Sequence, residues 1–230
     1  MSASLLEIIA CVSLVLAHIP FAFPKLNIPF VYIGKLSFPI YAFLISKEYM
    51  GKKSFTKIFI RLIVLALIAQ VPACFLIIGN FTLRFFNIFF TFAVGLLCIR
   101  IYDKISNKYI SSFIIIILAI TAEILGFDYG LIGILILVTF YIFDSNKTKM
   151  VLTECALFFI LYLEKSFHFK ETYDNLKYIL IQLIFSILSL IFITLYNGKK
   201  RKNTKLFKII LYSIYPVQLV TLLLIKNLII

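Results

Sequence analysis

The sequence predicts an all-α fold, a polytopic transmembrane bundle of about nine helices (eight to ten possible) in a single integral membrane domain covering residues 1–230. Hydrophobic residues make up 63% of the 230-residue chain and charged residues 14%, and the mean hydropathy is +1.07. A soluble domain of this length could not bury so much apolar surface, so most of that surface must face lipid. The first apolar run has Glu7 near its start and lacks a basic n-region, so we expect a membrane helix there and not a cleavable signal peptide.

The individual helices are predicted from the spacing of apolar windows. Runs of about twenty apolar residues, each ended by a polar break, are typical of membrane-spanning helices. Pro39, Pro72 and Pro216 fall inside such runs, where each removes one intrahelical hydrogen bond. In chain order, the nine predicted spans are 4–23, 28–50, 57–79, 84–102, 109–125, 129–144, 148–164, 177–196 and 206–229.

The distribution of basic residues predicts the orientation. Most of the 23 Lys and Arg residues fall in the even-numbered loops, which indicates that these loops are cytoplasmic, the N-terminus cytoplasmic and the C-terminus outside. The same bias accounts for the net charge of +13, and we expect the basic run at residues 197–205 to meet anionic lipid and not nucleic acid. The basic residues of the even loops are Lys47, Lys52, Lys53, Lys57, Arg61, Arg100, Lys104, Lys108, Lys147, Lys149, Lys199, Lys200, Arg201, Lys202, Lys205 and Lys208.

The four cysteines do not predict a metal site or a disulfide framework. Cys11, Cys74, Cys98 and Cys155 all lie in apolar runs and none forms a CxxC pair, so we expect packing roles. We expect no metal cofactor. The richness in Ile, Phe, Lys and Asn indicates an AT-rich bacterial genome and nothing finer. The expected location is a bacterial cytoplasmic membrane.

Polar side chains inside the predicted spans are the candidates for a functional site, because each is costly in lipid unless it faces protein or water. Several fall toward the predicted outer ends of their helices, which favours one outward-opening polar pocket over separate residues at headgroup level. Two stripes at helical spacing, 84/87/91/95 and 34/37/41, face other helices and serve as packing seams or as parts of a site. The outer-end residues are His18, Lys35, Gln70, Arg84, Asn87, Glu123, Asp128 and Tyr129, with Gln218 past the middle of its helix.

Six segments of the chain, taken in order, resemble the TraX family of membrane proteins. They are "IACVSLVLAHIP", "IGKLSFPIYAFLISKEYM", "RLIVLALIAQVPACF", "FNIFFTFAVGLL", "FDYGLIGILILVTFY" and "LYNGKK…LYSIYPVQL". TraX proteins are known for N-terminal acetylation of conjugative pilin, and they are similar to a wider group of transmembrane acyltransferases. The resemblance therefore implies acetyl transfer from acetyl-CoA, with the histidine near the end of the first helix, here His18, as the base.

The chain departs from the family pattern at several polar positions. The Asp that usually precedes the histidine is Ala17 here, and a Glu before the proline of the third helix is Gln70. An Asp after that proline is Cys74, and a histidine often found in the last helix is Gln218. A Glu-Gly pair before the tyrosine that closes the second helix is Lys47 and Glu48. These replacements leave a non-catalytic membrane partner, such as an immunity or assembly factor, as an alternative.

The chemistry of acetyl transfer assigns roles to the candidate residues. A base must take a proton from the acceptor, and donors must stabilise the oxyanion that forms at the thioester carbonyl. His18, with an ordinary imidazole pKa of about 6.5, suits the first task. Arg84 or Asn87 suits the second, and Asp128 would orient the imidazole. The predicted substrate-binding residues are Lys35, Tyr41, Gln70, Thr91, Tyr129 and Gln218, and Arg61 and Arg100 would attract the phosphates of acetyl-CoA.

The sequence thus predicts a membrane-embedded acetyltransferase that uses acetyl-CoA and acts on an amine or hydroxyl outside the membrane. A peptide or pilin-like N-terminus is the favoured acceptor, and a cell-surface sugar is the alternative. A transporter is a further hypothesis, but we find no internal repeat and no carboxylate pair for ion coupling. The predicted partners are the lipid bilayer and the peptide or glycan acceptor.

Overall fold

The apolar runs form helices, as predicted. A computed structural model describes residues 1–23, 27–51, 54–168, 173–198 and 205–229 of the chain. In these residues it contains no β-strand beyond an isolated bridge between Phe86 and Phe127. The helices are α1 (Ala3–Ala22), α2 (Asn27–Gly34), α3 (Ser37–Met50), α4 (Phe55–Ala73), a π-helix (Cys74–Ile78), α5 (Ile88–Lys104), α6 (Lys108–Ile124), α7 (Gly130–Ile142), α8 (Lys147–His168), α9 (Tyr173–Thr194) and α10 (Lys205–Ile229).

The helix boundaries confirm the nine predicted helices to within about one helical turn. The single predicted helix 28–50 is divided into α2 and α3, with Lys35 and Leu36 in a turn between them. Pro39 explains the break, because its ring has no N–H to donate to the carbonyl of Lys35 and clashes with it in a continuous helix. The Ser37 hydroxyl donates to the Gly34 carbonyl at 2.8 Å and closes the turn.

Two compact units make up the chain, Met1–Tyr41 with Asn146–Ile230 and Ala42–Ser145. The first unit contains α1, α2, α8, α9 and α10 and the start of α3. Within it α1 packs against α2 and α10, and α9 packs against α8 and α2. The second unit contains the rest of α3 and α4 to α7, and α5 packs against α4, α6 and α7. The single domain of the sequence analysis stays a prediction.

Within each unit, loops predicted to share a side of the membrane lie together. In the first unit the Lys147 ammonium donates to Thr194 O at 2.9 Å, and Asn197 N donates to Met1 O at 3.0 Å. Met1 is the N-terminus, Lys147 and Asn197 belong to the predicted sixth and eighth loops, and Thr194 ends α9 just before the eighth loop. All are on the predicted cytoplasmic side.

In the second unit Asp103 connects three helices. Tyr49 of α3 and Tyr141 of α7 both donate to its carboxylate, at 2.9 and 3.0 Å. Lys47 of α3 forms an ion pair with Asp144, just beyond α7. The ends of α3, α5 and α7 near the predicted second, fourth and sixth loops therefore meet.

The chain is a polytopic helical membrane protein. By length and hydropathy, four helices among the described residues can cross a membrane: Ala3–Ala22, Pro29–Met50, Phe55–Ile78 and Leu176–Thr194. Gly130–Ile142 and Ser213–Leu228 are shorter apolar helices. That the remaining predicted helices also cross the membrane stays a prediction. Lys52, Lys53 and the predicted basic cluster Lys199–Lys202 lie outside the described residues.

Candidate functional site

His18 lies on α1, one turn before the helix ends at Ala22, and its side chain is buried. The ring of Tyr215, on α10, packs edge-on against the imidazole with a centroid distance of 5.4 Å. The ring of Phe21, also on α1, lies 6.1 Å from the imidazole, measured between the ring centroids. The histidine that the sequence singled out therefore sits in an aromatic wall of the first unit.

The shortest contact of the imidazole favours the tautomer with its proton on Nδ1. The Nδ1 atom of His18 lies 2.8 Å from the carbonyl oxygen of Leu14. A carbonyl oxygen only accepts, so this contact is a hydrogen bond when Nδ1 carries the proton. In the neutral ring Nε2 then holds a lone pair. Within the described residues Nε2 has no hydrogen-bond partner, which leaves it able to accept a proton from a substrate.

Gln218 is the polar neighbour of His18. Its Nε2 atom lies 3.2 Å from His18 Nδ1 and 3.5 Å from Leu14 O. With the proton on Nδ1 the two nitrogens are both donors and do not bond each other, so both donate to the Leu14 carbonyl. The side chain is 8% exposed. Its Oε1 atom is buried and has no hydrogen-bond partner among the described residues. The predicted substrate residue Gln218 thus meets the predicted base and presents an unsatisfied acceptor beside it.

Two further predicted site residues belong to the first unit. Lys35 follows Gly34, whose nearest neighbour on α1 is Ala17, the residue before His18. The Tyr41 hydroxyl donates to the Cys11 thiol at 3.1 Å. Cys11 precedes His18 by seven residues, about 10 Å along the helix axis, so this contact lies about two turns from the histidine.

Gln70 and Asn87 form an interlocked pair in the second unit. The Asn87 amide donates to Gln70 Oε1 at 2.9 Å and to Ala66 O at 2.7 Å, and Asn87 Oδ1 accepts from Phe89 N at 3.1 Å. Asn87 is fully buried and caps α5. Gln70 Nε2 in turn donates to Phe85 O at 2.5 Å. Both hydrogens of the Asn87 amide are therefore used inside the unit, where they fix the loop before α5 to α4.

The loops before α5 and α7 pair with each other. Phe86 N donates to Gly126 O at 3.0 Å, Asp128 N donates to Phe86 O at 2.9 Å, and the Thr91 hydroxyl donates to Asp128 O at 2.5 Å. Tyr129 precedes α7 with a φ of 60°, a left-handed conformation that is uncommon for a non-glycine residue. The structure thus gathers the predicted residues of the third and fifth loops.

One predicted boundary in this region is wrong. Arg84 was expected to open the helix 84–102, but α5 begins at Ile88 because Asn87 caps it. Arg84 lies in the preceding loop with an exposed side chain, and its backbone N–H donates to Thr82 Oγ1 at 3.1 Å. It is therefore not part of the helical stripe that contains Thr91 and Gly95.

The two arginines predicted to attract acetyl-CoA phosphates already have partners in the second unit. Arg61 forms a bidentate ion pair with Glu48, at 3.0 and 2.6 Å. Arg100 lies over the Phe55 ring at 5.6 Å and donates to Tyr49 Oη at 3.5 Å. A phosphate would have to compete with these contacts.

The match to known proteins covers the whole site region. The family model for the TraX protein matches residues 2–226. The chain belongs to the TraX family. No curated protein and no solved structure matches the chain significantly.

The structure explains one departure of this TraX chain from the family pattern. A Cβ atom added to Gly34 would lie 2.6 Å from the Cβ of Ala17, so residue 17 faces the closest approach of α1 and α2. Ala17 is thus the small residue that α1 presents to Gly34 at this contact. The Nδ1 atom of His18 is held by Leu14 O, and the predicted pairing with Asp128, a residue of the second unit, stays a prediction.

Glu154, a fully buried carboxylate on α8, is not among the residues predicted from the sequence. Its signal was available, because an acidic residue inside an apolar span is costly and marks a candidate site. Leu14, the partner of His18, is also absent from the predicted residues. No sequence pattern identifies that contact, because it uses a backbone carbonyl.

Proposed function

We propose that this TraX protein is a membrane-embedded acetyltransferase with His18 as its general base. The observation that supports the proposal is the 2.8 Å contact between His18 Nδ1 and Leu14 O, which leaves the Nε2 lone pair for the substrate. The protein moves an acetyl group from acetyl-CoA to an amine or hydroxyl at the outer side of the membrane.

The reaction needs two proton transfers, one as the tetrahedral intermediate forms and one as it collapses. The neutral acceptor nitrogen attacks the thioester carbonyl carbon, and the new C–N bond forms as His18 Nε2 takes a proton from the nitrogen. When the intermediate collapses, the C–S bond breaks and the imidazolium returns the proton to the CoA sulfur. The products are the N-acetylated acceptor and CoA thiol. A hydroxyl acceptor follows the same route and gives an ester.

Lys35 supplies the positive charge for the oxyanion. It lies in the turn between α2 and α3, next to Gly34, which packs against Ala17 beside His18. Charge fixed before the reaction stabilises a developing oxyanion more than mobile solvent does. Asn87 is left out of the reacting set, because both its N–H groups are engaged. A role for Arg84 at the oxyanion stays a prediction.

Acetyl-CoA as donor and a peptide N-terminus as favoured acceptor rest on the TraX family. A cell-surface sugar is the second acceptor class. We place the protein in a bacterial cytoplasmic membrane with the N-terminus cytoplasmic. Met1, Lys147 and Asn197 lie at one end of the first unit, which supports a common side for the N-terminus and the sixth and eighth loops. The bias of basic residues supports the cytoplasm as that side.

A non-catalytic membrane partner is the second candidate function. The observation that favours it is Ala17, which packs against Gly34 where the family carries an orienting carboxylate. In this function His18 is a helix-packing residue that hydrogen-bonds Leu14, and no acetyl group is transferred.

The test follows a labelled acetyl group. The purified protein in nanodiscs is incubated with deuterated acetyl-CoA and two probes, a peptide with a free N-terminus and a disaccharide, and products are read by mass spectrometry. We expect label on the peptide with wild type and with His168→Ala, and none with His18→Ala. If wild type labels neither the peptide nor the disaccharide, the enzyme proposal is contradicted and the non-catalytic partner is favoured.

A further inference from the structure

We propose that Gln218 positions the acceptor amine: its Oε1 accepts one N–H of the acceptor nitrogen while His18 Nε2 removes the other proton. The inference rests on the proposed function and adds a second substrate-binding group to it. It assigns a role to a residue of α10 that the reaction with His18 alone does not use.

The first observation is the unsatisfied state of the Gln218 carboxamide. The side chain is 8% exposed, and Oε1 is buried without a hydrogen-bond partner in the described part of the chain. A buried acceptor without a partner is destabilising and needs an explanation. A ligand that brings a hydrogen-bond donor to this oxygen removes the penalty when it binds.

The second observation is where this oxygen lies. Gln218 Nε2 is 3.2 Å from His18 Nδ1, so Oε1 lies beside the ring that carries the base. From this contact and ordinary covalent dimensions, Oε1 and His18 Nε2 are separated by roughly 8 Å at most. One small group hydrogen-bonds to both atoms when their separation is about 5 to 6 Å or less. The 3.2 Å contact makes Gln218 and His18 neighbours, and one reacting group reaches both acceptors only at the shorter end of this range.

When one nitrogen donates to two acceptors, each of its two hydrogens has its own fate in the reaction. A neutral primary amine carries two hydrogens on nitrogen, one donated to Gln218 Oε1 and one to His18 Nε2. During attack on the thioester carbonyl, the hydrogen facing His18 is transferred and leaves with the CoA thiol. The hydrogen facing Gln218 stays on nitrogen and becomes the amide N–H of the product. An amine with a single N–H cannot satisfy both atoms.

The experiment compares Gln218→Met with wild type on two probes, a peptide with a primary N-terminal amine and the same peptide N-methylated at that nitrogen. Methionine keeps the length of the side chain and removes the acceptor. We expect kcat/KM for the primary amine to fall roughly tenfold, the factor for one lost hydrogen bond, with little change for the methylated peptide. The matched control is Gln182→Met, a buried glutamine on α9, which should leave both values unchanged.

The melting temperature separates this role from a structural one. Gln218→Met removes an unsatisfied buried oxygen and, on the nitrogen side, only the long 3.5 Å contact with Leu14 O, so the variant should melt at or above the wild-type temperature. An unchanged kcat/KM for the primary amine, or a lowered melting temperature, overturns the inference while the proposed function stands. Wild type that acetylates neither peptide overturns this inference, and the proposed function is contradicted only when the disaccharide is not acetylated either.

Discussion

At the scale of single residues, the geometry of His18 depends on how closely α1 and α2 approach. Ala17 faces Gly34 on α2, and His18 is the next residue of α1. The sequence predicted His18, because a histidine in an apolar span is costly and stands out. It did not predict what holds the ring, because the partner is the backbone of Leu14 and the second neighbour, Gln218, is 200 residues away in the chain.

Gly34→Ala tests this packing. The added methyl group would lie 2.6 Å from the Ala17 Cβ, so α1 and α2 must separate. We expect a loss of about 1–3 kcal/mol of stability, the usual cost of overpacking, seen as a lower melting temperature in detergent. Ala156→Leu adds more volume at an exposed position of α8 and should leave the melting temperature unchanged. Equal melting temperatures for wild type and Gly34→Ala would contradict the close α1–α2 contact.

At the scale of elements, the paired loops of the second unit are fixed by glycine. Gly126 has a φ of +78°, and an added Cβ would lie 2.2 Å from the carbonyl oxygen of Arg84. Gly126→Ala therefore adds backbone strain to a clash, and we expect a loss of roughly 2–4 kcal/mol in thermal unfolding. Gly79 also has a positive φ, +94°, but open space around it, so Gly79→Ala reports the strain alone. Equal losses in the two variants would show that the loops do not pair as described.

The connection through Asp103 predicts an acid dependence of stability. Hydrogen bonding from Tyr49, assisted by Tyr141, Lys104 and Arg100, lowers the pKa of the Asp103 carboxyl below its ordinary value of 3.8. A group with a lowered pKa in the folded state stabilises the protein above its unfolded pKa, and this contribution is lost as the pH falls through the folded value. Because Asp103 is exposed, the effect is small.

The measurement is the melting temperature of wild type and Asp103→Asn from pH 7 down to pH 3. We expect the variant to melt lower at pH 7 and the two curves to converge below about pH 4. A constant difference across this range would show that the carboxylate charge does not contribute to holding α3, α5 and α7.

At the scale of the whole molecule, the number and order of helices could be predicted because apolar windows and charge bias are strong local signals. Three features could not be predicted as accurately: the division of helix 28–50 at Lys35, the start of α5 at Ile88 and the π-helix after α4. Each depends on a proline or a cap whose effect is set by neighbouring elements. Side-chain partners such as Gln70 with Asn87 depend on tertiary packing, which no single segment encodes.

The predicted orientation can be tested by cysteine labelling in whole cells. In a variant without the four native cysteines, Asn80→Cys in the third loop should react with a membrane-impermeant maleimide. Ser106→Cys in the fourth loop should react only after the membrane is opened, because both positions are exposed but on opposite predicted sides. The reverse pattern would invert the predicted topology and place His18 toward the cytoplasm.

The most direct test of the proposed chemistry is the release of CoA from acetyl-CoA by the purified protein, comparing wild type with His18→Ala at matched yield and melting temperature. We predict slow release by wild type, retained in His168→Ala and lost in His18→Ala, because the Nε2 lone pair of His18 accepts the proton in the reaction. Equal release by wild type and His18→Ala, or no release by either, would contradict the assignment of His18 as the base.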